Sequence, residues 1–367
     1  MENFEETAKQ SAKIRRERIK LIPDDCKINP EYLDSMSNDE FIELFRQMQN
    51  LIIKIYEDVE TAPFDWGYPK ENNTKSISGT AYNRISDFFQ GLIENGEVLD
   101  EKLIVNSKTI PKSYDNKASF RIAVRTHKNI EMIINKLSNF GFCFTGYDKK
   151  AESFSVSYPN NHLLLKILQT YAKAQDDTIT YSGVKFSSFS YRWVEDHSEQ
   201  KHEPIFLVKM DISPIEIQEI QYWLYDKAKE YGYSIDRKKP FDKDCIHYTK
   251  GSKEFILVGE KHFGEEYLGN SVRMFSKVIF RNVFSSHPDK VSLLSEKFPG
   301  VFGKSYATCH RCNGRKGADE QCSMRICYNL NGTYYENCAY QSFNFFNPVL
   351  ETFKDIFELF IIENNIR

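Results

Sequence analysis

The chain has 367 residues, of which 41% are hydrophobic and 28% charged, and a formal net charge of −3. This length predicts at least two packed units, and the near-neutral charge excludes a global field that would hold a polyanion. Residues 1–20 are charged and no run of about 18 apolar residues occurs, so we expect a soluble cytoplasmic protein without a secretory signal, a membrane-spanning helix or disulfides.

Helical patterns dominate residues 1–105. Basic side chains are concentrated at residues 4–20, within a predicted first helix. Ser37 stands where an N-cap belongs, and apolar residues recur at helical spacing after it. A third helix is predicted to begin near Ile85 and to end at Gly96. We therefore expect a mainly helical N-terminal region.

Strand and helix patterns alternate in residues 106–200. The predicted elements are a strand at 120–125, a helix at 129–140, strands at 142–147 and 153–158, a helix at 162–174 and a strand at 181–194. This β-α-β-β-α-β order is the split arrangement of a ferredoxin-like sandwich. The fold class predicted for this part of the chain is therefore α+β.

A similar order restarts in residues 201–300. The predicted elements are a strand at 205–210, a helix at 214–231, strands at 233–236, 255–259 and 274–283, and a helix at 288–298. Gly141 and Gly232 stand between two aromatic residues at corresponding places in the two halves, which suggests an internal duplication. Two unrelated sheets, or one continuous sheet, are the alternatives.

Five of the eight cysteines lie between residues 309 and 338. The C-x-x-C spacing at the start of this segment lets two thiolates of one turn reach the same tetrahedral ion. Asn331 and Gly332 predict a two-residue hairpin turn, which pairs Tyr328 with Tyr335 and Arg325 with Cys338. We therefore predict a zinc-ribbon-like module with a closing helix at residues 301–367. The predicted zinc ligands are Cys309, Cys312, Cys322 and Cys338.

The fourth ligand is left open by Cys327. This residue shares a predicted hairpin face with Cys338 and could replace it or Cys322, and His310 is a further alternative. With four thiolates and no open coordination position, the Zn²⁺ would be structural and not catalytic. A redox C-x-x-C and a coincidental cluster are the alternatives to a metal site.

Aromatic residues are abundant, with 28 Phe, 21 Tyr and 3 Trp. Several lie on the predicted strand 181–194 or on the predicted helix 214–231. A sheet lined with aromatic rings can bind a small molecule or stack bases. Packing between two sheets is the alternative interpretation. The predicted ligand-binding residues are Phe189, Tyr191, Trp193 and Trp223.

Binding of a small molecule or a protein partner is the predicted function, with zinc only stabilising the fold. Nucleic-acid binding through phosphate contacts is the first alternative. Its candidate residues are Arg15, Arg16, Arg311, Arg315 and Lys316. The second alternative is an enzyme with its site in the cleft between the α+β halves, near Cys245, His247 and His262. The common phosphate-loop and nucleophile-elbow motifs do not occur in the sequence, and their absence does not exclude an enzyme.

Overall fold

The protein is a mixture of helices and small antiparallel sheets. The computed structural model describes residues 4–68, 84–106, 130–148, 151–178, 188–213, 215–236, 241–242, 245–246, 248–250, 253–254, 256–263, 267–274, 282–302, 325–338, 343–346 and 348–365. The chain divides into two compact units, Met1–Ile212 and Ser213–Arg367. The finer division into four segments stays a prediction.

The first unit is mainly helical and carries one described sheet. Its helices are α1 (Phe4–Glu17), α2 (Pro30–Leu33), α3 (Asn38–Thr61), α4 (Arg84–Glu94), α5 (Ile130–Asn139), α6 (Leu163–Thr178) and α7 (Pro204–Asp211). Its strands are β1 (Gly96–Leu99), β2 (Lys102–Asn106), β3 (Cys143–Thr145) and β4 (Ser153–Ser157). Two 3-10 turns lie at Pro63–Trp66 and Tyr191–Trp193.

The long helix α3 begins where the sequence predicts. The Ser37 side chain accepts a hydrogen bond from the Glu40 backbone N–H, which satisfies one of the free donors at the helix start. The apolar stripe of α3 is buried along its length, and α1 and α6 pack against it. Ala8 and Ala12 of α1 are buried, and their small side chains allow α1 and α3 to approach closely. Helices α1, α3 and α4 thus form where the sequence predicts helices, and the bounds of the N-terminal region stay a prediction.

The four described strands of the first unit form an antiparallel sheet in the order β1-β2-β4-β3. Leu103 and Val105 of β2 face inward and are buried, with Phe154 and Val156 of β4 beside them. Because side chains alternate along a strand, the intervening residues face outward. The β1–β2 hairpin was not predicted from the sequence.

Two predicted strands of the ferredoxin-like halves are wrong. Residues 205–210 form the buried helix α7, because a short apolar run fits a buried helix as well as a strand, and Pro204 favours a helix start. The predicted strand 181–194 is replaced over residues 188–194 by a loop and a 3-10 turn. Neither half shows the β-α-β-β-α-β order within the described residues, and predicted strand 120–125 lies outside them.

The second unit contains three described sheets. Its helices are α8 (Ile215–Glu230), α9 (Val283–Ser286), α10 (Pro288–Lys297) and α11 (Leu350–Asn365). Its strands are β5 (Ser234–Ile235), β6 (Phe241–Asp242), β7 (Cys245–Ile246), β8 (Tyr248–Lys250), β9 (Lys253–Glu254), β10 (Ile256–Phe263), β11 (Tyr267–Met274), β12 (Arg325–Leu330), β13 (Thr333–Cys338) and β14 (Asn344–Phe346). The sheets have the orders β14-β11-β10-β7-β6, β5-β8-β9 and β12-β13. These orders differ from that of the first unit, so the described sheets give the duplication no support.

The hairpin β12–β13 has the predicted register. Tyr328 pairs with Tyr335 and Arg325 pairs with Cys338. The Tyr328 ring stacks on Phe284 at a centroid distance of 3.8 Å, and its hydroxyl donates to the Phe302 carbonyl at 2.6 Å. The hairpin is therefore fixed to the core of the second unit through its inner face.

The closing helix α11 supplies much of that core. Phe353, Ile356 and Phe360 are fully buried. Glu363, on the same helix, is 1% exposed and accepts hydrogen bonds from the backbone N–H groups of Asn282 and Val283 at 2.9 and 3.0 Å. This carboxylate thus provides acceptors for backbone donors at the start of α9.

Candidate functional site: a groove on the sheet of the first unit

A groove of about 600 Å³ lies on the outer face of the sheet in the first unit. Its volume is within the range of small-molecule sites in proteins. It is lined by Glu94, Asn95, Gly96, Glu97, Leu99, Ile104, Asn106, Glu152 and Ser153. These residues come from the end of α4, from β1 and β2, and from the start of β4.

The strand register explains how side chains reach the groove. Glu97 of β1 lies opposite Ile104 of β2, and Asn106 of β2 lies opposite Ser153 of β4. All four face away from the buried side of the sheet, since the positions between them point inward. Ile104 is 37% exposed and Leu99 is 50% exposed, so the groove offers apolar surface beside polar groups.

The junction between α4 and β1 holds one end of the groove in place. The Asn106 N–H donates to the Asn95 carbonyl at 2.8 Å, and the Gly96 carbonyl accepts from Gln169 Nε2 at 3.2 Å. A side chain at Gly96 would meet Leu103 Cδ1 at 2.6 Å and the Leu92 carbonyl oxygen at 2.7 Å. Position 96 is therefore restricted to glycine by this close approach.

The described lining of the groove is acidic. Among the described lining residues, Glu94, Glu97 and Glu152 carry carboxylates and none is Lys, Arg or His. Glu97 and Glu152 are exposed and keep contact with water. Carboxylates of one sign in a concave site raise the local concentration of cations. The arrangement is suited to attract a positively charged ligand.

The predicted aromatic residues of the first unit lie in its core. Phe189 and Trp193 are buried, and the Phe189 ring stacks on Tyr171 at 5.8 Å and meets Phe89 edge-on at 6.3 Å. Tyr191 is also buried and packs against the Arg192 guanidinium. The predicted strand that carries these rings is wrong over residues 188–194, where the chain forms a loop and a 3-10 turn. The predicted role of the rings in ligand binding depended on that strand, and it stays a prediction.

Trp223, the remaining predicted ligand-binding residue, lies on α8 in the second unit. Its ring meets Phe357 and Phe353 of α11 edge-on, at 5.1 and 5.9 Å. These contacts connect α8 to the closing helix. A role in ligand binding stays a prediction.

A cluster that the sequence did not predict surrounds Arg192. Its guanidinium donates to both carboxylate oxygens of Asp211, at 3.0 and 3.3 Å, and to Glu195 at 2.9 Å. Burial lowers the pKa of Arg192, but the hydrogen bonds to the two carboxylates outweigh it and raise that pKa above its ordinary value. His197 Nε2 lies 2.7 Å from the Arg192 carbonyl oxygen. The cluster connects the 3-10 turn to α7 and is best described as structural.

Arg192 and Glu195 are three residues apart, a spacing that can be recognised in the sequence. Asp211 lies 19 residues from Arg192, and no sequence pattern connects the two.

Cys26 is close to the same cluster. Burial, and then the charge of Glu195, raise the pKa of its thiol to about 12. A thiol that stays protonated is a poor nucleophile, so Cys26 is not a candidate for covalent catalysis.

The predicted phosphate-binding residues are only partly described. Arg16 donates to the Glu60 carboxylate through Nε and Nη2, at 3.2 and 3.0 Å. Its charge is therefore already paired with a carboxylate of α3. Arg15 lies beside it on α1. Arg311, Arg315 and Lys316 lie outside the described residues, and nucleic-acid binding stays a prediction.

Most of the predicted zinc site lies outside the part of the chain that the structure describes, namely Cys309, His310, Cys312 and Cys322. Cys338 ends β13, and Cys327 is an exposed free thiol on β12. Among the described residues, no group of three or more His, Cys, Asp or Glu side chains is placed to hold a metal ion.

Two of the three predicted catalytic residues lie on strands of the five-stranded sheet. Cys245 pairs with Asp242 and Gly259 within the five-stranded sheet, and His262 of β10 lies opposite Leu268. His247 lies outside the described residues. An enzymatic function for this segment stays a prediction.

Comparison with known proteins gives no relative: the chain matches no protein-family model, no curated protein and no solved structure at a significant level. Across the described ranges, no helix has a stretch long and apolar enough to span a bilayer.

Proposed function

We propose that the protein binds a small molecule in the groove on the sheet of the first unit, and that this ligand carries a positive charge beside an apolar group. One observation carries the proposal: a concave surface of about 600 Å³ combines three carboxylates with the exposed side chains of Leu99 and Ile104. An amine or guanidinium group would meet the carboxylates. The apolar part would cover the two aliphatic side chains and remove them from water.

A binding role fits the groove better than catalysis. Catalytic carboxylates usually act in sites that exclude water, because desolvation adjusts their pKa values for proton transfer. Glu97 and Glu152 are exposed. They attract and orient a cation without the desolvation that acid–base chemistry requires.

The test compares three probes with similar carbon skeletons: 2-phenylethylamine, 2-phenylethanol and phenylacetate. Backbone amide shifts in the NMR spectrum report where each probe binds. We expect the amine to shift Glu97, Ile104 and Ser153, and the alcohol and the acid to bind more weakly. Glu97→Gln and Glu152→Gln should each weaken amine binding by about two- to fivefold, as expected for exposed ion pairs.

Glu31→Gln is the matched control. Glu31 is exposed on α2 and is not part of the groove, so this variant changes the net charge equally and should leave amine binding unchanged. Equal binding of the amine and the acid, or shifts confined to residues away from the groove, would contradict the proposal.

We also propose that Cys309, Cys312, Cys322 and Cys338 hold a structural Zn²⁺ in a zinc-ribbon-like module. The register of β12 and β13 supports it, because Cys338 lies opposite Arg325, three residues after Cys322. A cytoplasmic location, where thiols stay reduced, belongs to this proposal. Metal analysis of protein purified without added zinc should give about one ion per chain. Cys309→Ser should lose it, and Cys327→Ser should keep it.

A further inference from the structure

A carboxamide in the first unit is buried without a hydrogen-bond partner. The Gln175 side chain is fully buried on α6, and neither Nε2 nor Oε1 has a partner among the described residues. Burial of a donor and an acceptor that make no hydrogen bond is costly in a protein interior. Buried polar groups of native proteins almost always have a partner in the protein or in bound water.

Gln49 shows how the same side chain is satisfied in the same unit. It is also fully buried, but its Nε2 donates to the carbonyls of Lys20 and Phe189 at 2.8 and 3.0 Å. Its Oε1 accepts from the Ile22 N–H at 2.9 Å. The contrast identifies Gln175 as the unusual carboxamide and Gln49 as its natural reference.

The face of α6 that carries Gln175 packs against aromatic rings. Tyr171 lies one helical turn earlier on the same face of α6, and its ring packs on Phe45 and Phe189 at 5.8 Å each. A partner that satisfies both atoms of the carboxamide must accept a hydrogen bond from Nε2 and donate one to Oε1.

We propose that the Gln175 carboxamide binds an internal water molecule. Water accepts a hydrogen bond from Nε2 and donates one to Oε1, whereas an ion of either sign would satisfy only one of the two atoms. Internal waters are a normal part of protein structures and bind where buried polar groups lack protein partners. The site is separate from the groove and does not depend on its proposed function.

The first experiment uses the wild-type protein. Cross-relaxation between side-chain amide protons and water, measured by NMR, detects a water that stays bound for longer than molecular tumbling. We expect cross peaks with water from the Gln175 Nε2 protons. The Gln49 Nε2 protons, which donate to two carbonyls, should show none.

The second experiment removes the carboxamide. Oxygen-17 relaxation dispersion counts long-lived internal waters, and Gln175→Met should reduce this signal relative to the wild type. Gln10→Met, an exposed change on α1, is the matched control and should leave the signal unchanged. The proposal is overturned if Gln175 shows no cross peak with water, or if folded Gln175→Met keeps the full wild-type relaxation signal.

Discussion

Gln49 joins two segments that are 140 residues apart, because its Nε2 donates a hydrogen bond of 3.0 Å to the Phe189 carbonyl. Phe189 has a φ of +46°, a left-handed conformation that a bulky residue rarely adopts. Its ring stacks on Tyr171 of α6. Gln49 thus stabilises a strained loop residue whose side chain fills the core of the first unit.

Replacing Gln49 with Met should strongly destabilise the first unit. The variant leaves the carbonyls of Lys20 and Phe189 and the N–H of Ile22 without their partner. The Ile22 N–H and the Phe189 carbonyl are in buried hydrogen bonds, and each costs about 1–3 kcal/mol when left unpaired, so we expect the free energy of unfolding to fall by about 2–6 kcal/mol. Hydrogen exchange in peptides from α3 and α6 measures this loss.

Gln10→Met provides the control, since Gln10 is exposed, and it should change the same free energy by less than about 0.5 kcal/mol. A loss below about 1 kcal/mol for Gln49→Met would show that Phe189 holds its conformation without this hydrogen bond.

The two hairpins of the protein show what the sequence could and could not predict. In β12–β13 the turn residues Asn331 and Gly332 have φ values of +50° and +80°. Asn-Gly is the strongest signal for such a turn, and the predicted register was confirmed. In β1–β2 the turn residues are Asp100 and Glu101, with φ values of +46° and +64°. Glu rarely adopts this conformation, so the second hairpin gave no recognisable signal.

The candidate groove was missed for the same reason. Its lining depends on the pairing of β1 with β2, and its polar side chains are of types that occur on any protein surface. Helix α7 was mistaken for a strand because residues 205–210 are all buried, so the run shows neither the period of a half-buried helix nor that of a strand. Local signals predicted the capped helices, while the site depends on a hairpin with an atypical turn and on the pairing of β2 with the distant strand β4.

The stability of the first unit should decrease at high pH because of Cys26. Burial raises the pKa of this thiol from 9.0 to about 12. Between these values the unfolded chain loses the proton while the folded chain keeps it. The stabilisation is therefore complete below pH 9.0 and is lost as the pH rises towards about 12. The expected slope is up to about 1.4 kcal/mol per pH unit.

Urea unfolding between about pH 8 and 11 measures this slope in the wild type and in Cys26→Ala. The variant should lose the part of the slope that begins near pH 9.0. Tyr32 and Tyr191, whose pKa values are raised from 10.0 to about 12, will still contribute above pH 10.0. Cys143→Ala changes an exposed thiol and should keep the wild-type slope. An unchanged slope in Cys26→Ala would contradict the assignment.

The stability of the second unit should decrease even when Glu363 is replaced by the similar side chain of Gln. Its Oε2 accepts from two backbone N–H groups, and its Oε1 accepts from Asn282 Nδ2 at 3.2 Å. An amide keeps only one of these acceptors and turns N–H protons towards donors. We expect Glu363→Gln to lower the free energy of unfolding of the second unit by about 1–3 kcal/mol. Glu351→Gln, exposed on the same helix, should be nearly neutral in the same urea titration. Equal losses in the two variants would show that the buried contacts contribute no stability.

The requirement for glycine is steric at Gly96 and conformational at Gly146. A Cβ at this position would lie 2.6 Å from Leu103 Cδ1 and 2.7 Å from the Leu92 carbonyl oxygen, and backbone atoms cannot move away cheaply. Gly96→Ala should therefore lower the free energy of unfolding of the first unit by about 2–4 kcal/mol. Gly146→Ala is the comparison, because Gly146 has a φ of +77° but nothing within 4 Å of an added Cβ. That change should cost only about 1 kcal/mol. If the two variants cost the same, the close approach at the α4–β1 junction does not restrict position 96, and the end of the groove is less rigid than the contacts imply.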